Sequence, residues 1–202
     1  MGLTTRDLTV IRYLEKNFLL DADILSRLVY WTGNEHYSLN ASRRRLKAMT
    51  DLKQVKRMRQ YVSQSYVYYL GKLPSKVEHR LAMSDFLSQM AVNGFEILLE
   101  ETEVEFKALE KQYHVRPDLL VTFKYHDKVY QALVEIDLTK QFTNADKYKK
   151  VIEAKRGGEL KGILDYPLAV VSVCNKKPEG IKCVWIKPDW SNFSNFTYSF
   201  IR

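Results

Sequence analysis

The chain has 202 residues, is 46% hydrophobic and 28% charged, and carries a formal net charge of +8, which suits a protein with a sizeable core and excludes disordered and collagen-like classes. Its longest stretches without Lys, Arg, Asp or Glu are about a dozen residues, well short of the roughly 20 that cross a bilayer. We therefore expect a cytoplasmic protein without a membrane partner, in which Cys174 and Cys183 are reduced thiols.

The first seventy residues predict three helices and a hairpin. Thr4 or Thr5 caps the first helix, Asp21 caps the second, and the third begins at Asn40 or Ser42. Two β-rich stretches joined by a polar turn then predict a pair of strands. The predicted helices cover about 5–16, 21–31 and 40–52, and the strands cover 55–61 and 66–70. This order is typical of a winged helix-turn-helix, whose third helix enters the major groove while the hairpin lies along the backbone or the minor groove.

The positive charge is concentrated in this part of the chain. Residues 1–76 hold 14 Lys and Arg against 6 Asp and Glu, whereas residues 77–202 hold 18 of each. Within 43–59, eight basic residues accompany one acidic residue, so 17 residues carry +7. Such a density indicates binding to a polyanion, because each neutralised phosphate releases counterions. The alternatives are a solvated basic face and a protein-interaction module.

Two roles are expected within this basic segment, for which double-stranded DNA is the predicted partner. Arginines in the third helix are expected to contact base edges, since a guanidinium pairs with guanine through two hydrogen bonds. Basic residues around the hairpin suit phosphates, which fix position without reading sequence. The candidate DNA-binding residues are Arg43, Arg44, Arg45 and Lys47 in the helix and Lys53, Lys56, Arg57 and Arg59 beside the hairpin.

The rest of the chain predicts a mixed α/β domain. A helix of about 75–92 ends at Asn93-Gly94, and the following elements are three strands, a helix and two strands. We predict strands over 95–100, 119–125, 129–138, 168–174 and 183–187, and a helix over about 143–156. The domains are predicted as 1–72 and 73–202. The aromatic tail at 190–200 is expected to pack on its own sheet, with a contact surface for a homodimer as the alternative.

Three carboxylates are predicted to meet at one end of the hairpin 119–138. Asp118 precedes one strand, Glu135 lies near the end of the other, and Asp137 shares the face of Glu135. A divalent Mg²⁺ or Mn²⁺ ion would offset the cost of burying them, orient a water and neutralise phosphate charge. The alternative is that Asp118 caps a turn after Pro117, while the other two carboxylates pair with Lys140 or Lys147.

Pro117-Asp118 followed by Glu135-Ile136-Asp137 resembles the PD-(D/E)XK nuclease motif. Asp137 stands where that motif has a lysine, which helps to position the attacking water in those nucleases. The resemblance therefore implies a restriction-endonuclease-like fold, with either Lys140 as a substitute or a reduced or absent nuclease activity.

Five short motifs over about 140 residues also resemble the replication-relaxation family, which includes MobC-like plasmid mobilisation proteins. The matching residues are Leu3-Thr4-x-x-Asp7, Ser42-Arg43-Arg44-Arg45-Leu46, His79-x-Leu81-Ala82-x-x-Asp85-Phe86, Arg116-Pro117-Asp118 and Glu135-x-Asp137-x-Thr139. In that family Glu-x-Asp is the usual form, which makes Asp137 an expected feature.

The resemblance implies a DNA-binding winged helix joined to a nuclease-like domain that acts in relaxation or mobilisation of plasmid or mobile-element DNA, alone or with relaxosome proteins. It adds His79 and Asp85, expected on one helical face, to the acidic site. The implied catalytic residues are Asp118, Glu135, Asp137, His79 and Lys140, and the implied metal ligands are Asp118, Glu135, Asp137 and Asp85. The alternatives are a non-catalytic accessory protein and a transcriptional regulator with a ligand-binding C-terminal domain.

Overall fold

The computed structural model describes residues 2–104, 115–139 and 142–200. The chain divides into two compact units, Met1–Asn93 and Gly94–Arg202. Within the described ranges there are six helices, a two-stranded sheet and a mixed five-stranded sheet. No helix in these ranges is long and apolar enough to cross a membrane.

The N-terminal unit contains four helices and a short antiparallel hairpin, in the predicted order. The two strands of the hairpin pair with Lys56 opposite Tyr69. Leu20 forms a further bridge to Tyr68, which attaches the hairpin to the segment before the second helix. The elements are α1 (Thr5–Glu15), α2 (Ala22–Leu28), α3 (Glu35–Asp51), β1 (Lys56–Met58), β2 (Val67–Tyr69) and α4 (Val77–Val92).

Helix α3 begins earlier than the sequence predicts. The side chain of Asn34 accepts a hydrogen bond from the backbone N–H of Tyr37 at 3.1 Å and caps the helix there. Ser42, which was a predicted cap, lies inside the helix, where its hydroxyl is buried and donates to the carbonyl of Ala22 at 2.7 Å. The predicted start at Asn40 or Ser42 is therefore wrong, because Ser42 connects α3 to α2 and does not cap α3.

A fully buried carboxylate lies among the first three helices. Asp7 is 0% exposed and receives both Nε and a terminal nitrogen of Arg45, with Nε to Oδ1 at 3.0 Å. The hydroxyl of Tyr30 donates to the same Oδ1 at 3.2 Å. Thr4 and Asp7 also form a capping box at the start of α1, with the backbone N–H of Thr4 donating to Oδ2 at 2.7 Å. One carboxylate therefore connects α1, α3 and the chain that follows α2.

Helix α4 belongs to the N-terminal unit. A terminal nitrogen of Arg27 in α2 donates to Asp85 at 2.9 Å, and Nε of Arg27 donates to the buried Ser88 at 3.0 Å. The boundary between the two units therefore lies after Asn93, whereas the sequence predicts it near residue 72.

The C-terminal unit is built on a five-stranded sheet in which the strands lie side by side in chain order. The first three strands are antiparallel, and the last two continue the sheet in parallel after a crossover helix. This confirms the predicted mixed sheet, and two strands have the predicted bounds. The elements are β3 (Glu96–Thr102), β4 (Leu119–Tyr125), β5 (Lys128–Asp137), α5 (Ala145–Arg156), β6 (Leu168–Cys174), β7 (Val184–Ile186) and α6 (Ser194–Tyr198).

The two faces of this sheet carry different cores. Helix α5 packs Tyr148 and Val151 against Leu133 on one face. On the other face Phe196 of α6 lies 5.6 Å from the ring of Phe123 and is fully buried. The aromatic tail therefore packs on its own sheet, as predicted, and the thiols of Cys174 and Cys183 are both free.

Replacing the buried acid should destabilise the protein in a pH-dependent way. Burial raises the pKa of Asp7, but hydrogen bonds from Arg45 and Thr4 outweigh it and lower that pKa from 3.8 to about 2. We expect Asp7→Asn to lower the free energy of unfolding at pH 7 by roughly 3 kcal/mol, because it removes the buried carboxylate that neutralises the partly exposed Arg45. The contribution of the ionised carboxylate is fully present above pH 4 or so and is lost as the pH falls towards about 2.

Urea unfolding of both proteins between pH 7 and pH 2 measures this, and Asp51→Asn at the exposed end of α3 serves as the matched control. A gap between Asp7→Asn and wild type that stays constant down to pH 2 would contradict the assignment.

Candidate nucleic-acid interface and carboxylate cluster

The exposed side of α3 carries three free basic side chains. Arg43, Arg44 and Lys47 are exposed, and in the part of the chain that the structure describes none of them forms an ion pair. Arg45 differs, because its side chain is only 16% exposed and is held by Asp7. The structure thus separates Arg45 from the residues with which the sequence groups it.

The early start of α3 adds residues that the sequence analysis missed. Tyr37 is 71% exposed in the first turn, and Asn40 follows on the exposed surface one turn later. The amide nitrogen of Asn40 lies 2.9 Å from Nε2 of His36. The signal that could have found them is Asn34, a strong capping residue followed by helix-compatible residues.

The hairpin beside α3 is basic and partly rigid. The guanidinium carbons of Arg57 and Arg59 lie 4.2 Å and 4.7 Å from the ring centroid of Tyr66, so one aromatic ring orders two cations. Lys56 donates to the carbonyl of Gly71 at 2.8 Å, and Lys53 is exposed. These four cations form no ion pair among the described residues. Together with Arg43, Arg44 and Lys47 they constitute what we call the basic surface.

In the C-terminal unit the strand pairing brings the predicted carboxylates together. Leu119 pairs with Val134, so Asp118 and Glu135 follow at the same end of the β4–β5 ladder. Oδ2 of Asp118 accepts the backbone N–H of Ile136 at 2.7 Å, which connects the two strands beyond the ladder. Asp137 lies on the same face of β5 as Glu135. We call Asp118, Glu135 and Asp137 the carboxylate cluster.

Glu135 of the carboxylate cluster has a raised pKa. Burial raises its pKa from 4.5 to about 7, and the nearby charges of Asp118 and Asp137 add to the rise. Hydrogen bonds from the hydroxyl of Tyr148 at 2.7 Å and the amide of Asn144 at 2.8 Å oppose it only partly. Tyr148 is fully buried, and burial followed by the charge of Glu135 raises its own pKa. The partners of Glu135 seen here are neutral, unlike the arginine beside Asp7.

The other predicted members of the site are placed differently. His79 and Asp85 lie on α4 in the N-terminal unit, where Asp85 accepts from Arg27. They are six residues apart, which turns a helix by about 240°, so the expectation that they share one helical face is wrong. Lys140 lies outside the described residues, and Glu135 bonds to Asn144 and Tyr148 rather than to Lys147.

The donor chemistry of the carboxylate cluster fits a hard divalent cation. Carboxylate oxygens are ligands of Mg²⁺ and Mn²⁺. The raised pKa of Glu135 favours its protonated form, and a cation bound there would take the place of the proton. Within residues 2–104, 115–139 and 142–200, no three or more His, Cys, Asp or Glu side chains are grouped so as to hold a metal ion. A fit therefore rests on one or two carboxylates, with water or substrate phosphate completing the shell, as Mg²⁺ commonly binds.

Comparison with known proteins gives no relative: no family model matches the chain, and no curated protein or solved structure matches it significantly.

The raised pKa of Glu135 predicts a loss of stability as the pH rises. A folded-state pKa of about 7 lies above the ordinary value of 4.5, so the protonated carboxyl stabilises the fold below pH 4.5 or so, and this contribution disappears as the pH passes through about 7. We expect the thermal midpoint of wild type to fall between pH 5 and pH 8, and that of Glu135→Gln, which stays neutral, to fall by several degrees less.

Thermal melts in metal-free buffers of constant ionic strength measure this, with Glu101→Gln at an exposed position of β3 as the control. If the thermal midpoints of wild type and Glu135→Gln change equally between pH 5 and pH 8, Glu135 is ionised in the folded protein over that whole pH range.

Proposed function

We propose that the N-terminal unit binds double-stranded DNA as a winged helix, with α3 in the major groove and the β1–β2 hairpin as the wing. The observation that carries this proposal is the basic surface: seven exposed cations on α3 and around the hairpin with no ion pair among the described residues. Cations without internal partners are available to phosphates, and each such contact releases counterions. A merely solvated surface would more commonly intersperse acidic residues.

The two parts of the basic surface would serve different purposes. Residues in the N-terminal part of a recognition helix contact base edges. We therefore expect base contacts from Tyr37, Asn40 and Arg43, and from Arg44 directly after them. Arginine pairs with guanine, and asparagine pairs with adenine. The cations of the hairpin, ordered on Tyr66, would follow the backbone. Arg45 is left out of this interface because it neutralises Asp7.

Arginine substitutions on α3 should reduce specific binding. We expect Arg43→Ala and Arg44→Ala each to cost about 1 to 3 kcal/mol on a selected duplex and less on a scrambled one. Lys56→Ala should weaken binding to all DNA sequences alike. It should also reduce the slope of log affinity against log salt concentration by about one. Selection from a randomised duplex library, followed by gel-shift titration at several salt concentrations, provides the measurement.

The matched control is Lys128→Ala with Lys161→Ala, two exposed cations of the C-terminal unit. Arg45→Ala should lower thermal stability more than any of the DNA-contact variants. Unchanged binding in a variant lacking both Arg43 and Arg44 would refute the recognition-helix assignment.

We further propose that the C-terminal unit is a nuclease-like domain whose carboxylate cluster takes Mg²⁺ or Mn²⁺ during relaxation or mobilisation of plasmid DNA. Support comes from the position of Asp118 and Glu135 at one end of the β4–β5 hairpin, where one or two carboxylates would bind the ion, and from the raised pKa of Glu135. The ion would orient a water and neutralise phosphate charge. A homodimer of this chain would match two half-sites in the DNA. In relaxation or mobilisation the protein would act together with relaxosome proteins.

In this proposal the residues of the chain position the site. Asp118 holds the two strands in register through the N–H of Ile136. Asn144 and Tyr148 hold both oxygens of Glu135 in place, so the carboxylate needs little reorganisation when its proton is lost. The second candidate is a non-catalytic accessory, in which this hydrogen-bonded arrangement only stabilises the sheet.

Metal binding distinguishes the two candidates. If the cluster takes a cation, each tenfold step of Mn²⁺ above its dissociation constant should stabilise wild type by about 1.4 kcal/mol. Asp118→Asn and Glu135→Gln should lose this stabilisation and any metal-dependent relaxation of supercoiled plasmid, while duplex affinity stays nearly intact. Glu101→Gln controls for loss of charge on the same sheet. No thermal shift and no relaxation in wild type would leave the accessory role.

A further inference from the structure

A second site lies in the C-terminal unit, in a cavity of about 1060 Å³. It is bounded by the C-terminal half of α5, the first residues of β6, strand β7 with the loop before it, and α6. Ligand pockets commonly occupy roughly 300 to 1,000 Å³, so this cavity is large enough for a ligand with several functional groups.

The lining of this cavity is strongly basic. Four cationic residues surround it, and no acidic residue is among its described lining. None of the four forms an ion pair in the described ranges. Lys155 donates to the carbonyl of Leu164, a neutral partner. The basic residues are Lys155 and Arg156 on α5 and Lys177 and Lys182 on the loop between β6 and β7.

Convergent like charges repel one another, and an anion of two or more charges would relieve that repulsion. Lysine offers a point charge and arginine a planar fork, and both suit phosphate oxygens. The charge of the cavity therefore points to a phosphorylated ligand.

Two aromatic side chains complete the lining. The indole N–H of Trp185 donates to the carbonyl of Cys174 at 2.9 Å, so the ring is held in a defined orientation on β7. Tyr198 on α6 is 66% exposed although it borders the cavity. Trp185 is partly buried against the core, and the part of its ring that lines the cavity lies, with Tyr198, beside the cations. Aromatic rings beside cations are suited to stacking a planar base.

The cavity is distinct from the carboxylate cluster. Leu168, at the start of β6, lines it and pairs with Gln131, whereas Glu135 pairs with Ser172 towards the other end of the same ladder. A ligand in the cavity therefore lies away from the proposed reacting groups of its own unit.

We propose that this cavity binds a free nucleotide, with its phosphates on Arg156, Lys177 and Lys182 and its base against Trp185 and Tyr198. The combination of a multiply charged group and a planar ring is what the lining offers, and neither a simple phosphate nor a neutral nucleoside uses both parts. The inference does not depend on DNA binding by the N-terminal unit.

Titration of the full chain with ADP, pyrophosphate and adenosine tests the assignment by tryptophan fluorescence and calorimetry. ADP should bind with a dissociation constant well below about 1 mM, pyrophosphate more weakly, and adenosine more weakly still. Arg156→Ala combined with Lys182→Ala should weaken ADP at least tenfold. Trp185→Phe should weaken ADP but leave pyrophosphate unchanged, and the exposed pair Lys128→Ala with Lys161→Ala should change neither ligand.

Cys183 provides a second measurement because it lines the cavity and is half-buried, whereas Cys174 is buried and serves as the internal reference. Bound ADP should slow iodoacetamide labelling of Cys183 severalfold. Three results would overturn the proposal: no saturable binding of ADP below about 1 mM, equal weakening by the control pair, or protection of Cys183 by a single-stranded oligonucleotide but not by ADP. The last result would assign the cavity to a DNA strand.

Discussion

The carboxylate of Asp7 is the interaction on which the N-terminal unit depends. It caps α1 through Thr4, receives the guanidinium of Arg45 from α3 and accepts the hydroxyl of Tyr30 after α2. A carboxylate that is 0% exposed is tolerated only when its charge is neutralised and its oxygens are satisfied. Both conditions are met by residues from different segments, so the ion pair also fixes how α3 lies against α1. The exposed side of α3, and with it the basic surface, follows from that placement.

This constraint distinguishes Arg45 from its neighbours in a way that counting charges along the sequence does not. Along the sequence Arg43, Arg44 and Arg45 are equivalent, but consecutive residues of a helix point about 100° apart. Arg43 and Arg44 face solvent, whereas Arg45 faces Asp7. The same reasoning applies to Asp85, whose negative charge is engaged by Arg27. Both residues belong to motifs that suggested a function, and both form ion pairs between helices of the N-terminal unit.

Local patterns predicted the order of the elements well, and strands such as 119–125 and 168–174 match the structure, because alternation and turn residues are local signals. The meeting of Asp118 and Glu135 at one end of the hairpin was predictable because Asp118 precedes one strand and Glu135 lies near the end of the other. The start of α3 was predicted wrongly because three residues can each cap a helix: Asn34, Asn40 and Ser42. The contacts of the folded chain decide among them, since Asn34 caps α3 and Ser42 bonds to α2. The cavity beside Trp185 could not be predicted, since its basic residues come from a helix and a loop about twenty residues further on.

Asp7 and Glu135 show how one functional group acquires two behaviours in the same chain. Both are withdrawn from solvent and both accept several hydrogen bonds. Burial raises the pKa of both groups. At Asp7 the hydrogen bonds from the Arg45 cation and from Thr4 outweigh burial, and the pKa falls to about 2. At Glu135 burial dominates, the charges of Asp118 and Asp137 add to it, and the hydrogen bonds from Tyr148 and Asn144 offset it only partly, so the pKa rises to about 7. The charge of Asp7 is already neutralised by Arg45, so this carboxylate does not attract a further cation. Glu135 is hydrogen-bonded to an amide and a phenol, and this difference is why we propose the carboxylate cluster, rather than the better buried Asp7, as the place where a cation would bind.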